Sequence, residues 1–354
     1  MSTQASMVKA GIAENQNRGS RAQIIFQFLV LGALVLLLMN YKGTGGLNKI
    51  RQTQANGSLK LPALQPASNS SGATSFRDAA AYLKIVWPAL LFGVLISAAV
   101  RTSISRTPLQ SIFGRGAVRD QITGAVAGMP LMLCSCCVAP IFPSIYQKTR
   151  RIGPALALAL AAPSLNPVAL TLSFMLFPWR VAGGRLAMAL TLVLIGSASV
   201  AGLTRSVRFP MNVEEPGHDT KWRALLLSYM NSLGYVALRT VPLVVVAIWA
   251  SMWVMRRLPL NTLGATASTH VFGIAIIALI AVLLTLPSLF EIPLALSIIA
   301  AGGPVGAAAA VLFAGPAINL PSLVVIGRHS NWKVSAALAG LVWGIAIAGG
   351  LLIR

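Results

Sequence analysis

Acidic residues are scarce in this 354-residue chain: 7 Asp and Glu stand against 28 Lys and Arg, and charged residues of both signs make up only 10%. Soluble domains carry roughly one quarter charged residues, so a water-facing surface over most of the length is excluded. Cysteine is rarer still, with 3 residues, all at positions 134, 136 and 137. No disulfide can therefore staple distant parts of the fold. The chain lacks a GxxxxGKS or GxxxxGKT phosphate loop and any polar stretch near the roughly 100 residues that a nucleotide-binding domain needs. ATP hydrolysis is not expected, and neither an enzymatic activity nor a cofactor is called for.

What the chain does hold is apolar length. Hydrophobic residues make up 56%, in recurring stretches of about 20 residues, each able at about 1.5 Å per residue to cross a hydrocarbon core of about 30 Å. The fold class is all-α and polytopic, multi-pass in a membrane with the lipid bilayer as its partner. The net charge of +21 would suggest nucleic acid in a soluble protein, but these Lys and Arg sit in short loops between apolar segments, where they set topology. No nucleic-acid partner is expected. The first apolar stretch, 22–39, follows Lys9, Arg18 and Arg21 and is followed by Asn40, Tyr41 and Lys42. Without a small-residue cleavage pattern it reads as a retained helix.

Residues 41–77, rich in Gly, Ser, Asn and Gln, read as a flexible loop. Apolar segments follow near 82–100, 120–146, 153–177 and 184–204, then a hydrophilic linker holding Glu214, Glu215 and Asp219, then segments near 232–255, 270–300, 305–327 and 333–353. The same count in the same order suggests a duplication. A shift of 153 positions pairs Ser135 with Ser288, Pro140 with Pro293, Ser144 with Ser297, Gly153 with Gly306, Pro163 with Pro316 and Asn166 with Asn319. The expected organisation is an N-terminal helix and polar loop (1–77), a first repeat (78–204), a linker (205–231) and a second repeat (232–354). Prolines interrupt the second apolar segment of each half, Pro130 and Pro140 in one, Pro287 and Pro293 in the other. If each is re-entrant, each half crosses three times and the halves are inverted. The distribution of Lys and Arg favours that arrangement, although Arg256 and Arg257 run against it.

Three constellations carry chemistry. Cys134, Cys136 and Cys137 place three soft donors within four positions, suited to copper(I), zinc or a trivalent metalloid; Cys134 and Cys136 are the first candidates as metal ligands. The CxxC spacing of Cys134 and Cys137 leaves thiol redox chemistry as the alternative, though the second half has Pro287, Leu289 and Phe290 where the first has thiols. Asn166 and Asn319 sit beside the helix-breaking prolines Pro163 and Pro316, as Cys137 sits by Pro140 and Glu291 by Pro293; half-helix ends near a midplane are how many secondary transporters build a site. The amides would line it or cap the half-helices. Glu291, the only acid deep in an apolar stretch, is either proton-coupling or the partner of a basic residue such as Arg239. Lys84, Arg239 and His270 read as interfacial.

The CSC, the nearby Pro140, the stretch GPALALALAAPSLNP and its echo FAGPAINLPSL resemble the ArsP-like and YraQ-like family of predicted permeases over about residues 80–353. The resemblance implies a multi-pass inner-membrane permease whose relatives export trivalent organoarsenicals or handle metals and metalloids. It places Cys134 and Cys136 at the family's cysteine motif; Cys137 stands where a small residue, often Gly, is usual. A secondary transporter follows, taking a small soft cation or organometalloid bound by Cys134, Cys136, Cys137, Asn166 and Asn319, with proton coupling at Glu291.

Overall fold

The computed structural model describes residues 2–56, 72–103, 116–149, 151–203, 222–257, 271–285, 289–300 and 302–353. The expected linker acids Glu214, Glu215 and Asp219 lie outside the described residues, as do Pro287, Ser288 and His270. Every regular element among the described residues is helical, as hydrocarbon demands of a backbone whose polar groups must be satisfied within the chain.

The long α1 (Ser2–Asn56) leads into α2 (Gly72–Ser103). Next come α3 (Ala117–Gly128), one 3-10 turn, the four-residue α4 (Ser135–Val138) and α5 (Ile141–Thr149). The first half closes with α6 (Ile152–Ser164), α7 (Pro167–Leu176), α8 (Trp179–Thr191), a π-turn, and α9 (Ser197–Leu203). The second half holds α10 (Trp222–Arg257), α11 (Val271–Leu283), α12 (Glu291–Ala300), α13 (Val305–Ala317), α14 (Leu320–His329) and α15 (Trp332–Leu352). Five helical stretches, Leu29–Asn56, Ala79–Thr102, Trp179–Leu203, Leu226–Ala250 and Trp332–Leu352, are long and apolar enough to cross a membrane. The bent pairs α6/α7 (42°) and α13/α14 (44°) are long enough when each pair is taken together. This is a multi-pass membrane protein.

Helix bounds repeat in the register of the sequence. Both ends of α6 and α7, and the start of α8, recur 153 positions later in α13, α14 and α15. Helix α2 lies against α10 and α6 touches α13, so corresponding elements of the two halves meet at the centre. There the chain is Ala-rich: Ala155, Ala157 and Ala161 of α6 and Ala307 to Ala310 of α13 have no exposed surface. Small side chains let helix backbones approach where no hydrophobic drive separates lipid from protein.

The bends have an identifiable cause. Pro163 and Pro316 occupy the last turns of α6 and α13, and Pro167 or Pro321 the first turn of the next helix, where a missing N–H costs little. Between them the backbone leaves the helix at residues 165–166 and 318–319. Pro140 separates α4 from α5, and its carbonyl accepts from Ser97 Oγ at 2.7 Å. Pro293 differs from the expectation that it breaks a helix. It sits in the first turn of α12, and the described residues outside a helix, 284–285 and 289–290, precede it.

The second difference is α1, which stays helical to Asn56 across residues expected to begin a loop. Gly43, Gly45 and Gly46 suggest a loop because glycine costs a helix roughly 1 kcal/mol each. Tertiary packing reverses that preference: Gly46 lies so close to the Val168 side chain of α7 that a Cβ would collide with it, and Ile50 packs on the core.

Candidate functional site

The site begins where α3 stops. After the 3-10 turn Met132 adopts a left-handed backbone, φ 48°, and Cys134 an extended one, φ −72° and ψ 160°. Cys134 thereby becomes the N-cap of α4, its carbonyl accepting from the amides of Cys137 and Val138, each at 3.0 Å. One turn of helix then folds the three thiols together. Sγ of Cys134 lies 3.1 Å from that of Cys136 and 2.7 Å from that of Cys137, and the remaining pair is 3.8 Å apart. Two thiolate bonds of about 2.3 Å span at most about 4.6 Å, so one soft ion reaches all three sulfurs. Cys136 and Cys137 are fully buried, and Cys134 keeps 5% of its surface.

Helix α2 backs the cluster. Tyr82 Oη stands 3.8 Å from Cys136 Sγ, and Ser97 Oγ contacts both the Pro140 carbonyl and Ser144 Oγ. Gly93 faces the Cys137 carbonyl with no room for a Cβ. Gly93→Val is therefore expected to push α4 from α2, costing about 1–3 kcal/mol by overpacking. Thermal unfolding in detergent checks this; an unchanged midpoint would contradict the close approach.

In front of the cluster lies a cavity of about 270 Å³. The two interrupted tips supply Met132 and Cys134 from the first half and Leu289 from the second, α2 supplies Val86 and Ala89, and the start of α7 supplies Asn166 and Val168. Tyr41, Lys42 and Lys49 of α1 close the remaining side. Among the described residues other than glycine, positive φ occurs at Met132 and at Leu289 (φ 79°), both on this cavity. Strained backbone of this kind gathers at functional sites, where surrounding structure over-determines it.

Both asparagines cap half-helices. Asn166 Oδ1 accepts from the Val168 amide at 3.0 Å; Asn319 Oδ1 accepts from the Ser322 amide at 3.2 Å while Ser322 Oγ accepts from the Asn319 amide at 3.1 Å. This reciprocal pattern is a capping box. Asn166 also reaches the cavity wall, whereas Asn319 is wholly buried and its Nδ2 finds no hydrogen-bond partner among the described residues. The first asparagine thus joins the thiols at one cavity, and the second does not line it.

Glu291 pairs with Arg185, not with Arg239. Arg185 Nη2 donates to Glu291 Oε1 at 3.0 Å, with the side chains only 1% and 2% exposed. Arg185 Nη1 donates to Ser173 Oγ at 2.5 Å. Arg239 instead donates to Tyr235 Oη at 2.7 Å on the exposed side of α10. The pair ties α8 of the first half to α12 of the second. Arg185 is not among the residues expected from the sequence, although an arginine inside the apolar run from 184 to 204 needs a buried counter-charge. Lys42 and Lys49 are not among them either, although seven positions apart they share a helix face.

A family model described as a predicted permease, ArsP_1, matches residues 73–354. The chain is 27% identical over 280 residues to UPF0718 protein YraQ of Escherichia coli, covering 76% of this chain and 78% of that protein. It is 31% identical over 111 residues to UPF0718 protein MJ0584 of Methanocaldococcus jannaschii, 30% of each chain. With UPF0718 protein YcgR of Bacillus subtilis it shares 28% over 148 residues, 40% of this chain and 48% of the other. No solved structure matches. The matched region runs from the second residue of α2 through α15 and holds every motif described, and the chain belongs to the ArsP_1 family of predicted permeases.

Proposed function

We propose that the protein is a secondary permease that exports a thiol-reactive soft metal ion or organometalloid, such as a trivalent organoarsenical. The observation that carries this reading is the triangle of three sulfurs, with edges of 2.7, 3.1 and 3.8 Å, opening through Cys134 onto a cavity between two interrupted tips. Thiolates bind soft centres and discriminate against hard ones, so the triangle would select cargo by softness. Asn166 would add a polar contact at the same wall, and the Asn319 amide would become available to cargo as the second half moves.

In this reading each half contributes three spans and one re-entrant hairpin, an odd number that makes the halves inverted, and one repeat rocks against the other in alternating access. The boundaries are those expected from the sequence, 78–204 and 232–354. Glu291 couples the motion to protons: protonation would discharge its pairing with Arg185 and free the halves. The thiol-oxidoreductase alternative draws on the 2.7 Å separation of Cys134 and Cys137. It requires a disulfide that exchanges with a partner thiol, and trapping a mixed disulfide from cells would favour it.

The test is cellular retention of methylarsenic(III), copper(I) and zinc with the wild type and with the Cys134→Ser/Cys136→Ser/Cys137→Ser variant. Lower retention of one cargo with the wild type alone is the expected result. Equal retention of all three in both strains would overturn soft-cargo export.

A further inference from the structure

Lys42, Gly45, Gly46 and Lys49 recur at intervals of three, four and seven, so they form one face of α1. That face is a wall of the thiol cavity, with all four residues on its lining. Gly45 has open space where a Cβ would stand, and Gly46 lets α1 close onto Val168. Among the described residues that line the cavity none is acidic. The buried carboxylate Glu291 is paired with Arg185. Two lysines and no carboxylate thus share the lining with Cys134, which disfavours a free metal cation there.

We propose that the Lys42 and Lys49 face makes this cavity an anion site, and that the cargo enters as an anionic thiolate complex of the soft centre. The proposal rests on the soft-cargo reading above and adds the charge of the species carried. Lys42 and Lys49 hold the carboxylates of the carrier thiol, while Cys134 receives the soft centre by ligand exchange. In that exchange the bond from the centre to the carrier sulfur breaks and a bond to Cys134 Sγ forms. The Cys134 thiol proton passes to the departing carrier thiolate, and no electron is transferred. The lysine-bearing helix lies outside residues 73–354, the region matched by the family, so charge selection is separable from the thiol core.

Equilibrium dialysis of the purified full-length protein tests this with two probes of equal chemistry and different charge. One is methylarsenic(III) bis(mercaptoacetate), a dianion; the other is methylarsenic(III) bis(mercaptoethanol), which is neutral. Each is supplied with excess carrier thiol, and bound arsenic is counted by mass spectrometry. The wild type is expected to prefer the dianion by roughly tenfold or more. Lys42→Gln/Lys49→Gln should lose that preference while binding the neutral probe as the wild type does, and Lys42→Arg/Lys49→Arg should keep it. Neutral-probe binding doubles as the control for folding; a glutamine pair that binds neither probe would show the lysines to be structural and overturn the proposal. Equal, Cys134-dependent binding of both probes by the wild type would overturn the anion site and leave the soft-cargo reading standing. Binding of both that survives Cys134→Ser would overturn the soft-cargo reading and the anion site with it.

Discussion

Cys134→Ser is expected to lower cargo affinity by at least about 100-fold and to abolish efflux, because it removes the one sulfur that faces the cavity. Loss of groups that merely support a metal ligand costs about 10- to 100-fold, and here a ligand itself is lost. The hydroxyl that replaces it is a hard donor that stays protonated near neutrality, so it neither binds a soft centre nor relays it inward. The change should spare the fold. Cys134 is the N-cap of α4, and serine is among the preferred N-cap residues. Cys137→Ser is expected to behave differently in kind: cargo should still enter at Cys134 but bind through fewer sulfurs, giving weaker retention on the protein. Efflux assays on the two single variants, with expression and unfolding temperature as controls, separate these effects. Full efflux by Cys134→Ser would contradict the role assigned to it.

The second large effect concerns Arg185 and Glu291. Glu291→Ala is expected to destabilise the protein by about 3–5 kcal/mol, since it strands a buried guanidinium. The double variant Arg185→Met/Glu291→Leu should recover most of that loss, because apolar side chains of similar size often replace a buried ion pair without net cost. Unfolding in detergent for Arg185→Met, Glu291→Leu and the double closes the cycle. The coupling should be large and of the sign that makes each single change worse than both together. Additive losses would mean that the pair is not a unit. If the pair also controls motion between the halves, the double variant should fold and bind cargo while its efflux no longer responds to a proton gradient.

Much of this was legible in the sequence for physical reasons. Hydrocarbon imposes long apolar segments, and the paired prolines and asparagines mark the two places where a helix stops inside protein. Asn166 and Asn319 predict breaks that occur at their own positions, since each must accept from a freed amide two or three residues on. The thiols were legible because their chemistry is local: one turn of helix suffices to gather them. What escaped depends on contacts between distant segments. Arg185 meets Glu291 across 106 positions, and no periodicity in either helix encodes that meeting. Residues 43–46 look like a loop in isolation and are helical because Val168 and the core receive them. The cavity has the same origin, since its walls come from α1, α2, both tips and the start of α7.

The most direct measurement is arsenic X-ray absorption on the purified protein loaded with methylarsenic(III), with and without the three cysteines. Sulfur in the first shell of arsenic, lost in the Cys134→Ser/Cys136→Ser/Cys137→Ser variant, is the expected result. A shell of oxygen and carbon alone in the wild type, with efflux intact, would contradict capture by the thiol triangle.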